Sequence, residues 1–472
     1  MSGASRLIPL PSCIMLLPAG AHFWRSGQPG LAAACIVLAA LAWSRAAWVR
    51  LLLLLLLPLL AVRWVWSTGQ FVQMRMLMGE PWHRLAVILL TVALLTALAT
   101  WPLLREAAQQ RYHKGEATAR TQLAALFLCI ALLLPVWIMK PQLLVLERFL
   151  PQWGSLQLAL AGMWAALAAG WLSSKKSPQL RMRLWRLFSL VFFAQLVLGL
   201  LLESRFLLSG QLHLPVPGLI AAAPVYRGGG WFMLGLFTFS TLLAGAAWCS
   251  HLCYFGAWDA TAAKACAGGP RGLVRMDTSV GAPAGISTGT FGSAANMPAQ
   301  QAIPRRAPAW LPHLRLVMLV LTLGIPLSLR LGGAPIEAAL ACGLLLGLLA
   351  LPASLLVSRK AGYAAYCRGL CPLGLLAKWL GRLAPWRVRR TGSCRRCMAC
   401  VRVCRQDAMS DPATTTAPNA DCNMCRDCVA VCPQKALSVT CYGLPGSQSW
   451  AGPAFVAILA ALHAAFLAMA RI

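Results

Sequence analysis

Eight cysteines near the C-terminus fall in two runs of one spacing, Cys394-x2-Cys397-x2-Cys400-x3-Cys404 and Cys422-x2-Cys425-x2-Cys428-x3-Cys432-Pro433. Thiolates so spaced wrap two cubane iron–sulfur clusters: Cys-x2-Cys-x2-Cys aims three sulfurs at one centre, and the fourth ligand comes from elsewhere. In two-cluster bacterial ferredoxins the last cysteine of each run serves the other cluster. By that rule Cys394, Cys397, Cys400 and Cys432 hold one [4Fe-4S] cluster, and Cys422, Cys425, Cys428 and Cys404 the other. A zinc module also uses Cys-x2-Cys pairs, but it employs two cysteines of each run and leaves the others without a role. The first run ends Cys404-Arg405 where the second has Pro. A cation at that place favours the more negative reduced cluster and is expected to raise its potential.

A second cysteine pattern is duplicated. Cys249-Ser-His-Leu-Cys253-Tyr-Phe-Gly256 and Cys367-Arg-Gly-Leu-Cys371-Pro-Leu-Gly374 align without a gap as Cys-x2-Leu-Cys-x2-Gly. On a helix, Cys-x3-Cys sets two thiols one turn apart on one face. Two such pairs make a four-thiolate metal site if the fold joins them; the plainer reading is four small residues at helix ends. His251 inside the first pair is a ligand, a proton carrier or, by default, an interfacial histidine. The six other cysteines of the 18, namely Cys13, Cys35, Cys129, Cys266, Cys342 and Cys441, read as small buried hydrophobes or idle thiols. So long and apolar a chain does not suit a disulfide framework.

These groups sit in a chain built for lipid. Of 472 residues 59% are hydrophobic and 11% charged, and runs such as Leu85 to Leu104 are long enough to cross a hydrocarbon core of ~30 Å. Apolar stretches fall near 8–23, 30–48, 51–67, 85–104, 121–139, 155–172, 184–202, 229–248, 310–330, 337–357 and 451–468, which predicts ten or eleven spans. The formal charge of +30, from 42 Lys+Arg against 12 Asp+Glu, does not point to nucleic acid, because the basic residues lie between apolar runs as in the cytoplasmic loops of multispanning proteins. Loops 105–120 and 173–186 are rich in Lys and Arg, whereas 140–154, 203–228 and 331–336 are poor. Continuing the alternation puts both cysteine regions on the cytoplasmic side of a bacterial-type inner membrane.

The fold class expected is therefore an all-α integral membrane protein carrying a small cytoplasmic α+β two-cluster ferredoxin domain. Residues 1–228 form N-terminal transmembrane helices of unassigned role. Residues 229–390 form a transmembrane core holding both Cys-x3-Cys motifs, with a disordered linker at 267–308 rich in Gly, Ala, Pro, Ser and Thr. Residues 372–390 mix Leu and Trp with Lys and Arg, which predicts a helix lying in the inner interface. Residues 391–442 form the ferredoxin domain, too short for a self-sufficient core, so metal supplies much of its stability. Residues 451–472 form a last apolar helix.

Duplicated Cys-x3-Cys motifs at the ends of membrane helices, followed by two cubane motifs, resemble the membrane polyferredoxins of the NapH, MauN and NosR type and related cytochrome-oxidase accessory proteins. The resemblance covers about residues 231–441. Cys371-Pro372 keeps the family's pattern, whereas Cys253 is followed by Tyr254. It implies an electron-transfer subunit of a quinol oxidoreductase complex, with quinone or quinol, membrane lipid and a redox protein as partners. It also implies a further metal or cluster at Cys249, Cys253, Cys367 and Cys371. Two rival readings are a metal-handling factor for assembly of a membrane oxidase and an iron–sulfur redox sensor.

Other signals are weak. Asp277-Thr-Ser-Val-Gly281-Ala282-Pro283 has Pro where a covalent flavin attachment needs Thr, and Ser287-Thr288-Gly289-Thr290 lacks the Ala. Only His313 and His463 lie inside plausible spans, too few for a convincing haem pair. Glu203, Glu337 and His213 mark outer span ends and read as solvated boundary residues.

Overall fold

The structure, a computed structural model, describes residues 7–206, 216–266, 307–395, 397–409 and 415–469. His213, the flavin-like stretch at 277–290 and the expected linker apart from Ala307 and Pro308 lie outside these residues. The chain divides into two units, one made of 1–174 with 456–471 and one of 175–455.

In the first unit, α1 (Leu10–Arg25), α2 (Pro29–Ala42), α3 (Ala47–Leu77), α4 (His83–Leu98), α5 (Ala119–Met139) and α6 (Gly154–Leu172) follow one another. α1 packs on α2, α3 on α4 and α5 on α6. Trp48, Leu52, Leu53, Leu57, Leu103 and Tyr112 make its main core. Tyr112 lies within it because its hydroxyl donates to Ala42 O at 2.6 Å.

The second unit carries α7 (Ser177–Leu201), α8 (Leu219–Arg227), α9 (Phe232–Ala244), α10 (Gly256–Cys266), α11 (Leu311–Leu331), α12 (Ile336–Pro352) and α13 (Pro372–Gly381). After these come β1 (Trp386–Arg390), α14 (Ala399–Val403), α15 (Asp427–Val431) and β2 (Leu437–Cys441). A last helix, α16 (Gln448–Met469), closes the chain. α9 ends because Gly245 takes φ +63°, ψ −154°, a conformation open mainly to glycine. The chain resumes as a helical turn, Trp248–His251, which delivers Cys249. Two π-helical segments, Ala353–Ser358 and Tyr366–Leu370, follow α12. Such widened turns gather at functional sites, and the second holds Cys367.

Among the described residues eight helices are long and apolar enough to cross a membrane: 47–77, 83–104, 116–139, 154–172, 177–201, 232–251, 311–331 and 448–469. This is fewer than the ten or eleven spans expected. α1 and α2 have 16 and 14 residues, and at 1.5 Å per residue each falls short of ~30 Å; α12 has 17 but continues directly into the π-helical Ala353–Ser358. Gly27, at φ +71°, and Pro29 at the start of α2 separate the first two.

The expected helix over 372–390 is corrected: α13 stops at Gly381, and Trp386–Arg390 is a strand. It pairs antiparallel with β2, Trp386 opposite Cys441 and Arg390 opposite Leu437. Trp386 and Val388 are buried, so the stretch has a strand's period of two, with arginines between the buried residues. The small α+β unit thus begins before residue 391.

Candidate metal centres

The two cysteine runs fold as a repeat. α14 and α15 each start from a left-handed residue, Met398 at φ +56° and Arg426 at φ +64°. After each short helix Asp407 and Lys435 again turn left-handed. Ala408 N donates to Cys404 Sγ at 3.3 Å, and Ala436 N to Cys432 Sγ at the same distance. Cys394, Cys397, Cys400 and Cys432 line one cavity with Met398, Met409 and Leu437. Cys404 lies within electrostatic reach of Cys422, Cys425 and Cys428. The last cysteine of each run is therefore turned toward the other run.

The duplicated pairs also converge. Cys249, Cys253, Cys367 and Cys371 line a single cavity together with Trp248, Arg315, Tyr366, Lys378, Asp421 and Cys422. The helical placement of each pair needs correction. Cys253 has left the turn that carries Cys249, and Cys371 is extended, at φ −77°, ψ 108°, as the N-cap of α13. The reason is a shared local motif: Gly256 N donates to Cys253 Sγ at 3.3 Å and Gly374 N to Cys371 Sγ at 3.4 Å. The glycine of Cys-x2-Gly presents its N–H to sulfur, and at Gly256 a Cβ would lie 2.8 Å from the Trp185 ring and 3.0 Å from Cys249 O.

A wholly buried carboxylate braces this cavity. Asp259, on α10, accepts from Cys367 N at 2.8 Å and from Ser358 Oγ, which in turn accepts from Ala365 N. Burial raises the Asp259 pKa despite these hydrogen bonds. His251 is buried and its Nδ1 contacts Ser250 Oγ at 2.9 Å; it is absent from the cavity lining. His463 Nδ1 accepts from Trp164 Nε1 at 3.3 Å.

Asp421 is the other focus. It meets Arg315 and Lys378 at 2.7 Å each and Arg368 at 3.5 Å. Burial opposes its ionisation, but Lys378 and Arg315 outweigh it and hold its pKa low. Arg368 also pairs with Asp407 at 3.2 Å. Asp427 takes a bidentate grip from Arg181 at 3.0 and 2.6 Å. Asp259, Arg181, Arg315, Arg368 and the three aspartates Asp407, Asp421 and Asp427 were not picked out from the sequence. The signal available was their scarcity: in a chain with 12 acids, Asp421 directly precedes a candidate ligand.

The donor set suits cubane clusters. Among the described residues no three His, Cys, Asp or Glu side chains close on a point that one ion would occupy, as zinc at ~2.3 Å from each sulfur requires. The thiols stand around cavities instead. Trp248 Nε1 and Arg315 Nε, both at the Cys249 cavity, are buried donors with no hydrogen-bond partner among the described residues. Cluster sulfides are acceptors of the kind such donors need. Burial pushes the Cys253 thiol up to about 12, so a thiolate there requires a cation beside it.

A family model for a 4Fe-4S binding domain matches residues 228–271 and 343–393. The first segment encloses Cys249 and Cys253, the second Cys367 and Cys371, and both end before Cys394. No curated protein matches the chain, and no solved structure does. The match marks an iron–sulfur protein, and eight apolar helices of sufficient length are consistent with a multi-pass membrane protein.

Proposed function

We propose that this chain is a membrane iron–sulfur electron-transfer protein of the polyferredoxin kind, passing electrons between membrane-dissolved quinone and a redox protein. Residues Cys394, Cys397, Cys400 and Cys432 would hold one [4Fe-4S] cluster, Cys422, Cys425, Cys428 and Cys404 a second, and Cys249, Cys253, Cys367 and Cys371 a third metal centre. Such clusters supply one-electron chemistry. The observation that carries the reading is Cys422, which lines the same cavity as the four Cys-x3-Cys thiols. Arg315, Lys378 and Arg368 fix Asp421 and therefore the loop bearing Cys422 against that cavity.

The quinone side is supported by a cavity of about 250 Å³ lined by Leu219, Ala222, Met318, Thr322, Tyr366 and Pro372, among others. Tyr366 belongs to both cavities, and its hydroxyl bonds the Cys371 thiol. Arg315, Met318 and Thr322 share one stripe of α11, so the apolar cavity is lined from ~5 to ~10 Å further along the helix than Arg315. The basic loops favour a cytoplasmic location for all three centres in a bacterial-type inner membrane.

The deciding experiment measures iron and acid-labile sulfide per chain, with EPR, in anaerobic wild type and in the Cys249/Cys253/Cys367/Cys371→Ser variant. Wild type should hold three EPR-distinguishable centres and the variant two. Equal contents would remove the third centre, and iron-free wild type after reconstitution would remove the whole reading. Copper bound through Cys249 and Cys371 in place of iron would favour an assembly factor.

A further inference from the structure

The described acids of the small α+β unit, Asp407, Asp421 and Asp427, are all spent in one direction. Among the described residues of 386–441, Asp407, Asp421 and Asp427 are its only acids, and each is paired with a cation from outside the unit: Arg368, the Arg315–Lys378–Arg368 group, and Arg181. The unit is thereby anchored beside Cys404 and along the second cysteine run, the side of the Cys422 set. Ser250 Oγ reinforces this by donating to Asn423 O at 2.9 Å.

The first run has the opposite character. Cys397 is the one exposed cysteine among the described residues. Arg395 stands two residues before it in the sequence, and Arg402 Nη2 donates to Cys397 O at 3.0 Å. Lys435 N donates to the carbonyl of Cys432, whose side chain lines the same cavity as Cys397. Arg395, Arg402 and Lys435 are exposed, and none makes an ion pair among the described residues.

We infer that the Cys397 face, ringed by Arg395, Arg402 and Lys435, is the docking surface for an acidic redox protein. This rests on the electron-transfer reading above and adds to it an order: the Cys422 set is the membrane-proximal centre and the Cys394 set the distal one. With every described acid paired on the inner side, the described charges around Cys397 are of one sign, which speeds encounter with an oppositely charged partner and orients it. An exposed ligand cysteine at the centre of that surface gives the shortest way across the contact. A face for anionic lipid headgroups would have no use for it.

The test uses the complete cluster-loaded protein in neutral phosphatidylcholine nanodiscs. The probe is an acidic plant-type ferredoxin, the counter-probe basic cytochrome c, and association rates are followed against salt. Ferredoxin association should slow steeply with salt, and Arg395→Gln/Lys435→Gln should slow it about fivefold at low salt. Arg395→Lys/Lys435→Arg should keep the wild-type rate, since charge and not shape is at work. Arg395→Glu/Lys435→Glu should exchange preference toward cytochrome c. Rates blind to salt and to these substitutions, in protein with full iron and sulfide, overturn the docking face while leaving the electron-transfer reading intact. A loss confined to binding of phosphatidylglycerol vesicles overturns it in favour of lipid. Iron-free wild type would instead strike at the reading beneath it.

Discussion

Trp248 and Gly256 are the residues on which the candidate third centre can be tested most cleanly, because neither is a ligand. Trp248 Nε1 is a buried donor without a partner among the described residues at the four-thiol cavity. Hydrogen bonds to cluster sulfurs raise the reduction potential, so Trp248→Phe should lower the midpoint of that centre in an EPR-monitored titration and leave the other two in place; an unmoved midpoint refutes the contact. Gly256→Ala sets a methyl 2.8 Å from the Trp185 ring and 3.0 Å from Cys249 O. Overpacking of this kind costs ~1–3 kcal/mol. The variant should lose the third centre's EPR signal first, whereas Gly374→Ala, whose nearest neighbour is the Cys367 carbonyl at 3.4 Å, should keep it. At this scale the cysteines were readable and their braces were not. Spacing along the chain singles out Cys394 or Cys422 as candidate ligands, but nothing near Asp259 in sequence says that it will receive the amide of Cys367.

At the scale of elements, the anchoring of α15 rests on one ion pair. Arg181 on α7 also donates to Ser250 O at 3.0 Å and lies over the Trp185 ring, so α7, the Cys249 turn and α15 are tied together. Its side chain and that of Asp427 are only 7% and 10% exposed. Arg181→Leu leaves a buried carboxylate without its partner, a loss of ~3–5 kcal/mol. Thermal bleaching of the visible iron–sulfur absorption should come at lower temperature. The double variant Arg181→Leu/Asp427→Leu should recover most of the loss, since two apolar residues replace a buried pair at little cost. Equal damage in both variants would show that the pair does more than cancel its own burial. Here the sequence misled in one place. Trp386-Arg-Val-Arg-Arg390 reads as basic interfacial helix because its neighbours do, and only its pairing with Leu437–Cys441 makes the period of two visible. The long apolar helices were legible from composition alone. Their number was harder, since α1 and α2 carry the right residues over too few turns.

For the whole molecule, metal and fold are linked unequally across the chain. Among its described residues the α+β unit has two five-residue strands and two five-residue helices, too little to bury a core of its own. Removing iron anaerobically with chelator should therefore erase amide-exchange protection over 386–441 and leave α3, α5 and α7 protected; retained protection in both would show that packing on Arg181, Arg315 and Arg368 suffices without metal. The sequence by itself determined what lies within reach along the backbone: which sulfurs share a loop, which stretches are apolar for twenty residues, where glycine must stand beside a thiol. Tertiary structure alone decided that Cys253 and Cys371 face one cavity, that Cys422 joins them, and that the aspartates turn inward while Arg395 and Lys435 stay out. The reason is physical. Ligand spacing and hydrophobic length are properties of a connected chain, but convergence and pairing of buried charge depend on distances between segments that the chain leaves free until its helices pack.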